Sequence, residues 1–237
     1  MNLVLTLLFV AIAFMACSAQ IEKDKPPFWK KAETARWLAH ENLWGTLSTT
    51  SVHLNGQAWG QPKSFVDGSN ANSTGVLYFY DSDMDASVED ANANSAVAFS
   101  LTSAQLGRCT VDRLDPEDPR CARVVFSGKF NQVTEADELA FATNALFERH
   151  PQMASWPADH SWKVHRIDLV EIWLIDIYGG GRVVVILHPN PRNLKVAEFN
   201  PHMCTTSFYS QPLSSPPMST TPCRSPPSSS KQAVDYQ

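Results

Sequence analysis

Val76-Leu77-Tyr78-Phe79-Tyr80 is an unbroken run of aliphatic and aromatic residues, typical of a strand buried in the middle of a β-sheet. Outward from it, Asn55-Gly56 is a strong hairpin signal between strand-like segments at 45–53 and 58–66, the second of which Pro62 is expected to interrupt. Further strand-like segments lie at 97–102, 122–133, 162–167 and 170–178. About seven strands predict a mostly antiparallel β-barrel.

Helical patterns occur between and beside these strands, so they are accessory elements. Apolar residues recur at helical spacing over 28–43, and a short helix is expected over 84–91, capped by Ser82 or Asp83. Thr134 is the expected cap of a third helix, which runs up to His150-Pro151. The fold class is therefore mostly β with accessory helices.

The charge balance excludes some classes of partner. The 237 residues include 19 Lys and Arg against 24 Asp and Glu, for a formal net charge of −5. This leaves no strong positive field for phosphate backbones or anionic lipid, so we expect no nucleic-acid partner.

The N-terminus has the pattern of a secretory signal. Residues 3–16 are almost entirely apolar. The small residues Cys17-Ser18-Ala19 follow them, and charged residues come next at 22–25. The apolar run is shorter than the ~20 residues that a membrane-spanning helix needs, so we expect cleavage near Ala19 and no membrane span. Residues 1–19 are thus predicted to be a signal peptide of a secreted protein.

Secretion makes disulfides and glycans relevant. Cys109 and Cys121 enclose two Asp-Pro turn signals between apolar segments, which favours a disulfide over free or zinc-binding thiols, since no second close Cys/His pair has ligand spacing. The pairing of Cys204 and Cys223 stays open. Asn72-Ser73-Thr74 is a glycosylation sequon in a loop rich in small polar residues, so Asn72 is the predicted glycan site.

Several separated motifs, in order along residues 28–180, resemble the CREG family of secreted glycoproteins found in the endosome, the lysosome and the extracellular space. They include Trp44-Gly45-Thr46-Leu47-Ser48-Thr49, Phe126-Ser127-Gly128-Lys129, Arg149-His150-Pro151-Gln152-Met153, Ile172-Trp173-Leu174-Ile175-Asp176 and Tyr178-Gly179-Gly180. The resemblance implies an FMN-binding split β-barrel that forms a homodimer. It also implies a glycan-reading sorting receptor or another protein receptor as partner, and a role in growth and differentiation.

The superfamily that the resemblance implies includes flavin enzymes, so an FMN site is an alternative. Flavin-binding relatives offer a His and an Asn where this chain has Ser87 and Asp90, and residues 83–90 contain four acids that would repel a phosphate. Lys63 and Ser64 are the only weak FMN candidates, and ordinary strand surface is the more common role for such a pair. We therefore expect no cofactor.

No catalytic residues are assigned from the sequence. It lacks a Gly-x-Ser-x-Gly elbow and a His-Glu-x-x-His helix, and the spacing of its histidines matches no metal site. His150 and His160 are expected to hydrogen-bond loop carbonyls. Trp44, Trp162 and Trp173 are expected to fill the barrel or a dimer seam, and residues 170–177 to form a fully buried strand.

The predicted organisation is a signal peptide at 1–19, a CREG-like split barrel at 28–187 and a Pro/Ser-rich, disordered tail at 188–237. The change in composition after residue 187 has two equally good explanations: an O-glycosylated Ser/Thr/Pro segment, or an altered exon or reading frame. The predicted function is a secreted, non-catalytic glycoprotein that acts through protein binding. The alternatives are an FMN-dependent oxidoreductase and a carbohydrate-binding module, the latter requiring exposed aromatic rings.

Overall fold

The computed structural model describes residues 25–184 and the backbone of residues 185–186 and 196–197. The strands are β1 (Trp44–Thr50), β2 (Ala58–Ser64), β3 (Val66–Ser69), β4 (Asn72–Ser82), β5 (Ala96–Thr102), β6 (Arg123–Gln132), β7 (Trp162–Ile175), β8 (Arg182–Ile186) and β9 (Val196–Ala197). The α-helices are α1 (Lys31–Glu41), α2 (Ala86–Ala93), α3 (Arg108–Val111) and α4 (Ala136–Arg149), with single 3₁₀ turns at Ser103–Leu106, Pro151–Ser155 and Ala158–His160.

The strands form one sheet in which every pair is antiparallel. Seven of them follow the order β2-β1-β5-β6-β7-β4-β3 and curl into a half-barrel, while β8 pairs with β7 and β9 with β8. The predicted fold class is thus confirmed: mostly β, split-barrel-like, with accessory helices. The predicted signal peptide at 1–19 lies outside the described residues, as does the tail at 188–237 apart from the two residues of β9.

The β1–β2 hairpin turns where the sequence predicted it. Asn55 and Gly56 both have positive φ, 55° and 89°, which Asn and Gly adopt at least cost. The interruption expected at Pro62 is wrong, because Pro62 lies inside β2, opposite Thr46 of β1. Since β2 is an edge of the seven-strand path, a residue without a backbone N–H is tolerated there.

The C-terminal half of the sheet contains one long strand where the sequence predicted two. Strand β7 runs through 14 residues, and its pairing with β6 shifts register at Ser127 and Gly128. This β-bulge absorbs the extra residue, Val170, without ending the strand. Gly128 allows the close approach, since a Cβ there would lie 2.3 Å from the carbonyl oxygen of Asp168.

Two predicted helix caps are wrong. Helix α2 is capped by Asp85, whose Oδ1 accepts a hydrogen bond from the Ser87 backbone N–H at 2.8 Å, and not by Ser82 or Asp83. Helix α4 begins at Ala136 after Glu135 with no side-chain cap, so Thr134 does not fill this role. Asp83 instead pairs with Lys163 on β7.

Strand β4 divides the core into two hydrophobic clusters. Phe79 points into the larger cluster, where its ring lies 5.0 Å from that of Phe99. Tyr78 faces the smaller cluster under α4, together with Leu146. Because successive residues of a strand face opposite sides, the run at 76–80 supplies both cores at once.

The aromatic residues expected in the interior are partly at the surface. Trp44 is 47% exposed and Trp173 is 38% exposed, and Trp162 is half-buried. Val170 is 72% exposed, so the prediction of a fully buried strand over 170–177 is wrong for the single chain. The bulge leaves Val170 outside the pairing with β6, and Glu171 and Trp173 are exposed because alternate residues of a strand face opposite sides.

Candidate functional site

A cavity of about 450 Å³ opens where β2, β4 and the start of β7 meet the segment before α2. One wall is polar and comes mainly from β2 and the end of β4, and the other is aromatic. It is lined by Gln61, Pro62, Lys63, Ser64, Tyr80, Asp81, Ser82, Met84, Asp85, Met153, Trp156, His160 and Trp162. This volume is within the range of small-molecule sites.

Lys63 is the centre of the polar wall. Its Nζ lies 2.7 Å from Asp81 Oδ1 and 2.6 Å from Asp85 Oδ2. Gln61 Nε2 donates a hydrogen bond of 2.8 Å to Asp85 Oδ1, so the three charged groups and the amide form one connected network. Lys63 and Asp81 are both buried, and charged groups that leave water are costly unless they are paired and hydrogen-bonded, as they are here.

The two carboxylates respond oppositely to this environment. Burial raises the pKa of Asp81, and the nearby Lys63 only partly offsets this. Burial also opposes ionisation of Asp85, but the hydrogen bond and charge of Lys63, with help from the Ser87 N–H and Gln61, lower its pKa. Of the two carboxylates, Asp85 is therefore the one that stays firmly charged.

The aromatic wall is a cluster of three rings in mutual contact. Tyr80 and Trp162 are stacked with ring centres 5.4 Å apart, and the rings of Trp156 and Trp162 are 4.7 Å apart. Trp162 Nε1 donates to the Pro157 carbonyl at 2.7 Å, which fixes its plane. Trp156 remains 37% exposed, so part of this wall is open to a ligand.

The sequence brought some of these residues to attention and missed others. Lys63 and Ser64, the weak FMN candidates, both line the cavity. Asp90 does not, because it is buried elsewhere and accepts hydrogen bonds from Thr49 Oγ1 at 2.6 Å and the Val52 N–H at 2.7 Å. Ser87 is also buried and is not a lining residue.

Asp81 was not singled out, although it is central to the site. Strand periodicity could have found it, since it lies two residues after Phe79 and faces the same side of β4. An inward-facing carboxylate needs a cation, and Lys63 on β2 is that cation.

The lining does not fit a flavin phosphate. Such a dianion needs several free donors that converge on it. Here the one lining cation, Lys63, is already bound to Asp81 and Asp85, and the residues of this cavity include no arginine. The sequence predicted that acids at 83–90 would repel a phosphate. In the cavity, the carboxylates in a position to do so are Asp81 and Asp85.

Comparisons with known proteins agree with this fold and assign the family. The family model described as "CREG, beta-barrel" matches residues 26–192. The chain belongs to the CREG family. Chicken protein CREG1 is 36% identical over 182 residues, 74% of this chain and 94% of that protein, and mouse protein CREG2 is 38% identical over 63% of this chain and 52% of that protein.

Among solved structures, a heme-binding protein from Mycobacterium smegmatis superposes on this CREG chain with a TM-score of 0.52. The two are 19% identical, and the superposition covers 67% of this chain and 58% of the other. At this identity the likeness concerns the fold alone.

The predicted glycan site of this CREG chain lies at the start of β4. Asn72 is exposed, while the hydroxyls of Ser73 and Thr74 are both engaged with Asp67: Ser73 Oγ donates to its carboxylate and Thr74 Oγ1 to its carbonyl at 2.7 Å. Arg36 Nη2 donates to the Ser73 carbonyl at 2.6 Å. The sequon backbone is thereby held in place while the Asn72 side chain faces solvent.

Two histidines of the CREG chain are buried or half-buried and structural in their contacts. His150 Nε2 lies 3.0 Å from the Phe65 carbonyl oxygen, as the expected loop-carbonyl bond requires. His165 stacks on Phe130 at 4.8 Å, and its buried Nδ1 has no hydrogen-bond partner among the described residues. Burial, and secondarily the charge of Lys163, lowers the pKa of His165 to about 4.

Other predicted features of this CREG chain can be placed as well. Cys109 and Cys121 are joined by a disulfide, the pair predicted from the sequence. Over residues 25–186 there is no cluster of three or more His, Cys, Asp or Glu side chains placed to hold a metal ion. No helix in that same part of the chain is long and apolar enough to cross a membrane.

Proposed function

We propose that this CREG chain is a secreted, non-catalytic glycoprotein that acts through protein binding in the extracellular or endolysosomal compartment, with a role in growth and differentiation control. The single observation that carries the non-catalytic part is the arrangement of Lys63 between Asp81 and Asp85. Lys63 is the one cation that lines the cavity, and both carboxylates already bind it, so it is not free to bind a flavin phosphate.

Electrostatics supports this choice over the flavin oxidoreductase. A phosphate dianion entering the cavity would face two carboxylates, one of them held firmly charged, and would have to compete with both for Lys63. Breaking a buried ion pair costs about 3–5 kcal/mol when one partner loses its counter-charge. Flavin binding at this site is therefore disfavoured.

The test is the absorbance of FMN between about 350 and 500 nm with the full chain purified from culture medium, because an enclosed isoalloxazine ring experiences a different environment from water. We expect no perturbation. An FMN complex with a dissociation constant in the micromolar range or below, lost in the Lys63→Ala/Ser64→Ala variant, would contradict this proposal and favour the oxidoreductase. Lys129→Ala, on exposed β6 surface, is the control for a general loss of positive charge.

The protein-binding part needs its own measurements. We propose a homodimer and a protein or sorting receptor that reads the Asn72 glycan. Sedimentation of the full chain should give twice the monomer mass, and uptake of labelled chain by cells should fall with Asn72→Gln. A monomer at physiological concentration, or unchanged uptake, would contradict these two points separately.

A further inference from the structure

The cavity beside Lys63 has features that the protein-binding proposal does not use. Its aromatic wall is preformed: Tyr80, Trp156 and Trp162 contact one another ring to ring, and the Trp162 indole N–H is bound to a backbone carbonyl. A preformed wall costs little ordering when a ligand binds. Trp156 lines the cavity and is 37% exposed, so it is the most exposed of the three rings.

The opposite wall combines donors and acceptors in one fixed network. Lys63 and Gln61 contribute N–H groups, and Asp81 and Asp85 contribute carboxylate oxygens. Asp81 Oδ2 is buried and has no hydrogen-bond partner among the described residues, although the side chain lines the cavity. A buried acceptor of this kind is costly unless a donor reaches it.

The charges of this wall select the class of ligand. Two carboxylates repel an anion, as argued for the flavin phosphate. A ligand ammonium would meet the ammonium of Lys63, which already lies between the same two carboxylates. A neutral molecule with several hydroxyls avoids both conflicts, because each hydroxyl donates to a carboxylate oxygen and accepts from Lys63 or Gln61.

The aromatic wall selects further. The apolar C–H face of a pyranose ring packs on an aromatic face, while its equatorial hydroxyls point to the sides. An indole wall facing a wall of carboxylates and amides matches both surfaces of such a ring, and about 450 Å³ is ample for a small ligand.

We propose that the cavity between Trp156 and the Lys63–Asp81–Asp85 network binds a neutral saccharide, one pyranose ring of which packs on Trp156 while its hydroxyls bond to the network. The proposal is independent of the protein-receptor and dimer proposals, since it concerns a cavity of the single chain. It would make this chain a lectin-like protein.

The experiment uses the full secreted chain in an Asn72→Gln background, so that the chain's own glycan is not mistaken for ligand. An array of neutral, sialylated and phosphorylated oligosaccharides is probed first, and the strongest neutral binder is then titrated by calorimetry. Trp156→Ala and Gln61→Ala are the site variants, one for each wall. Trp29→Ala is the matched control, because Trp29 is 61% exposed and does not line the cavity.

We expect neutral oligosaccharides to bind, with affinity at least about tenfold weaker in Trp156→Ala and unchanged in Trp29→Ala. Gln61→Ala should weaken binding independently, which keeps the test valid if Trp156→Ala does not fold. The absence of any neutral binder at millimolar concentration would overturn the proposal. Binding that survives both site variants, or that is confined to charged glycans, would do so as well.

Discussion

Lys63 Nζ lies 2.7 Å from Asp81 Oδ1, and both side chains are more than nine-tenths buried. The two residues are on strands β2 and β4, 18 positions apart in the chain, and the pair forms only when these strands come together. It governs both the chemistry of the cavity and the stability of the strands around it.

Removing the cation from this pair should be strongly destabilising. Lys63→Met leaves Asp81 buried without its partner, so we expect a loss of about 3–5 kcal/mol in the free energy of unfolding, measured with urea. The double variant Lys63→Met/Asp81→Leu should recover part of it, since an apolar pair needs no counter-charge, while the half-buried Asp85 still lacks its partner. Lys129→Met on exposed β6 surface should change little, and an equal loss there would contradict the argument.

Acid should destabilise the protein through His165. Its pKa is about 4 in the folded chain and 6.5 as the ordinary value, so the unfolded chain takes up a proton first as the pH falls. Above pH 6.5 His165 is neutral in both states and does not lower the free energy of unfolding. Between about pH 6.5 and 4 the free energy of unfolding falls by up to about 3 kcal/mol. His165→Phe should flatten this part of the urea-unfolding profile, whereas exposed His53→Gln should not. If the free energy of unfolding depended on pH in the same way in both variants, the assignment of this effect to His165 would be contradicted.

The bulge between β6 and β7 should not tolerate a side chain on Gly128. A Cβ would meet the Asp168 carbonyl at 2.3 Å, so Gly128→Ala should lower the thermal midpoint and cost at least about 1–3 kcal/mol. Gly60→Ala is the matched strand variant, since its nearest neighbour would be 3.5 Å away. We expect Gly60→Ala to be neutral within about 0.5 kcal/mol. Similar midpoints for the two variants would show that the bulge adjusts.

The disulfide should stabilise the loop that it closes. Cys109 and Cys121 are 12 residues apart, and the Cys109→Ala/Cys121→Ala variant should lose about 2–4 kcal/mol. Differential scanning calorimetry measures this loss, and peptide mapping without reduction checks the bond itself. Alkylation of Cys109 in the unreduced wild type would refute the pairing.

Asn72 should carry a glycan. The secreted chain is expected to migrate faster after treatment with an N-glycosidase, and Asn72→Gln should abolish this shift, because the sequence has no other sequon. Asn131→Gln, which is not in a sequon, is the control. A shift that persists in Asn72→Gln would show that the modification lies elsewhere.

Local patterns in the sequence predicted most of the elements of this protein. The apolar run at 76–80, the Asn55-Gly56 turn and the periodicity of 28–43 are each properties of neighbouring residues, and each corresponds to β4, the β1–β2 turn or α1. Strand β7 was predicted as two strands because a bulge depends on the partner strand, and here on Gly128 of β6.

The site shows the same division more sharply. The sequence offered Lys63 and Ser64 only as weak FMN candidates, and it showed the acidic character of the segment before α2, since both are matters of residue type. Only the tertiary structure decided that Asp81 and Asp85, and not Asp90, hold Lys63, and that Trp156 and Trp162 contribute to the aromatic wall. Burial and pairing depend on which strands become neighbours, and that is a property of the whole sheet.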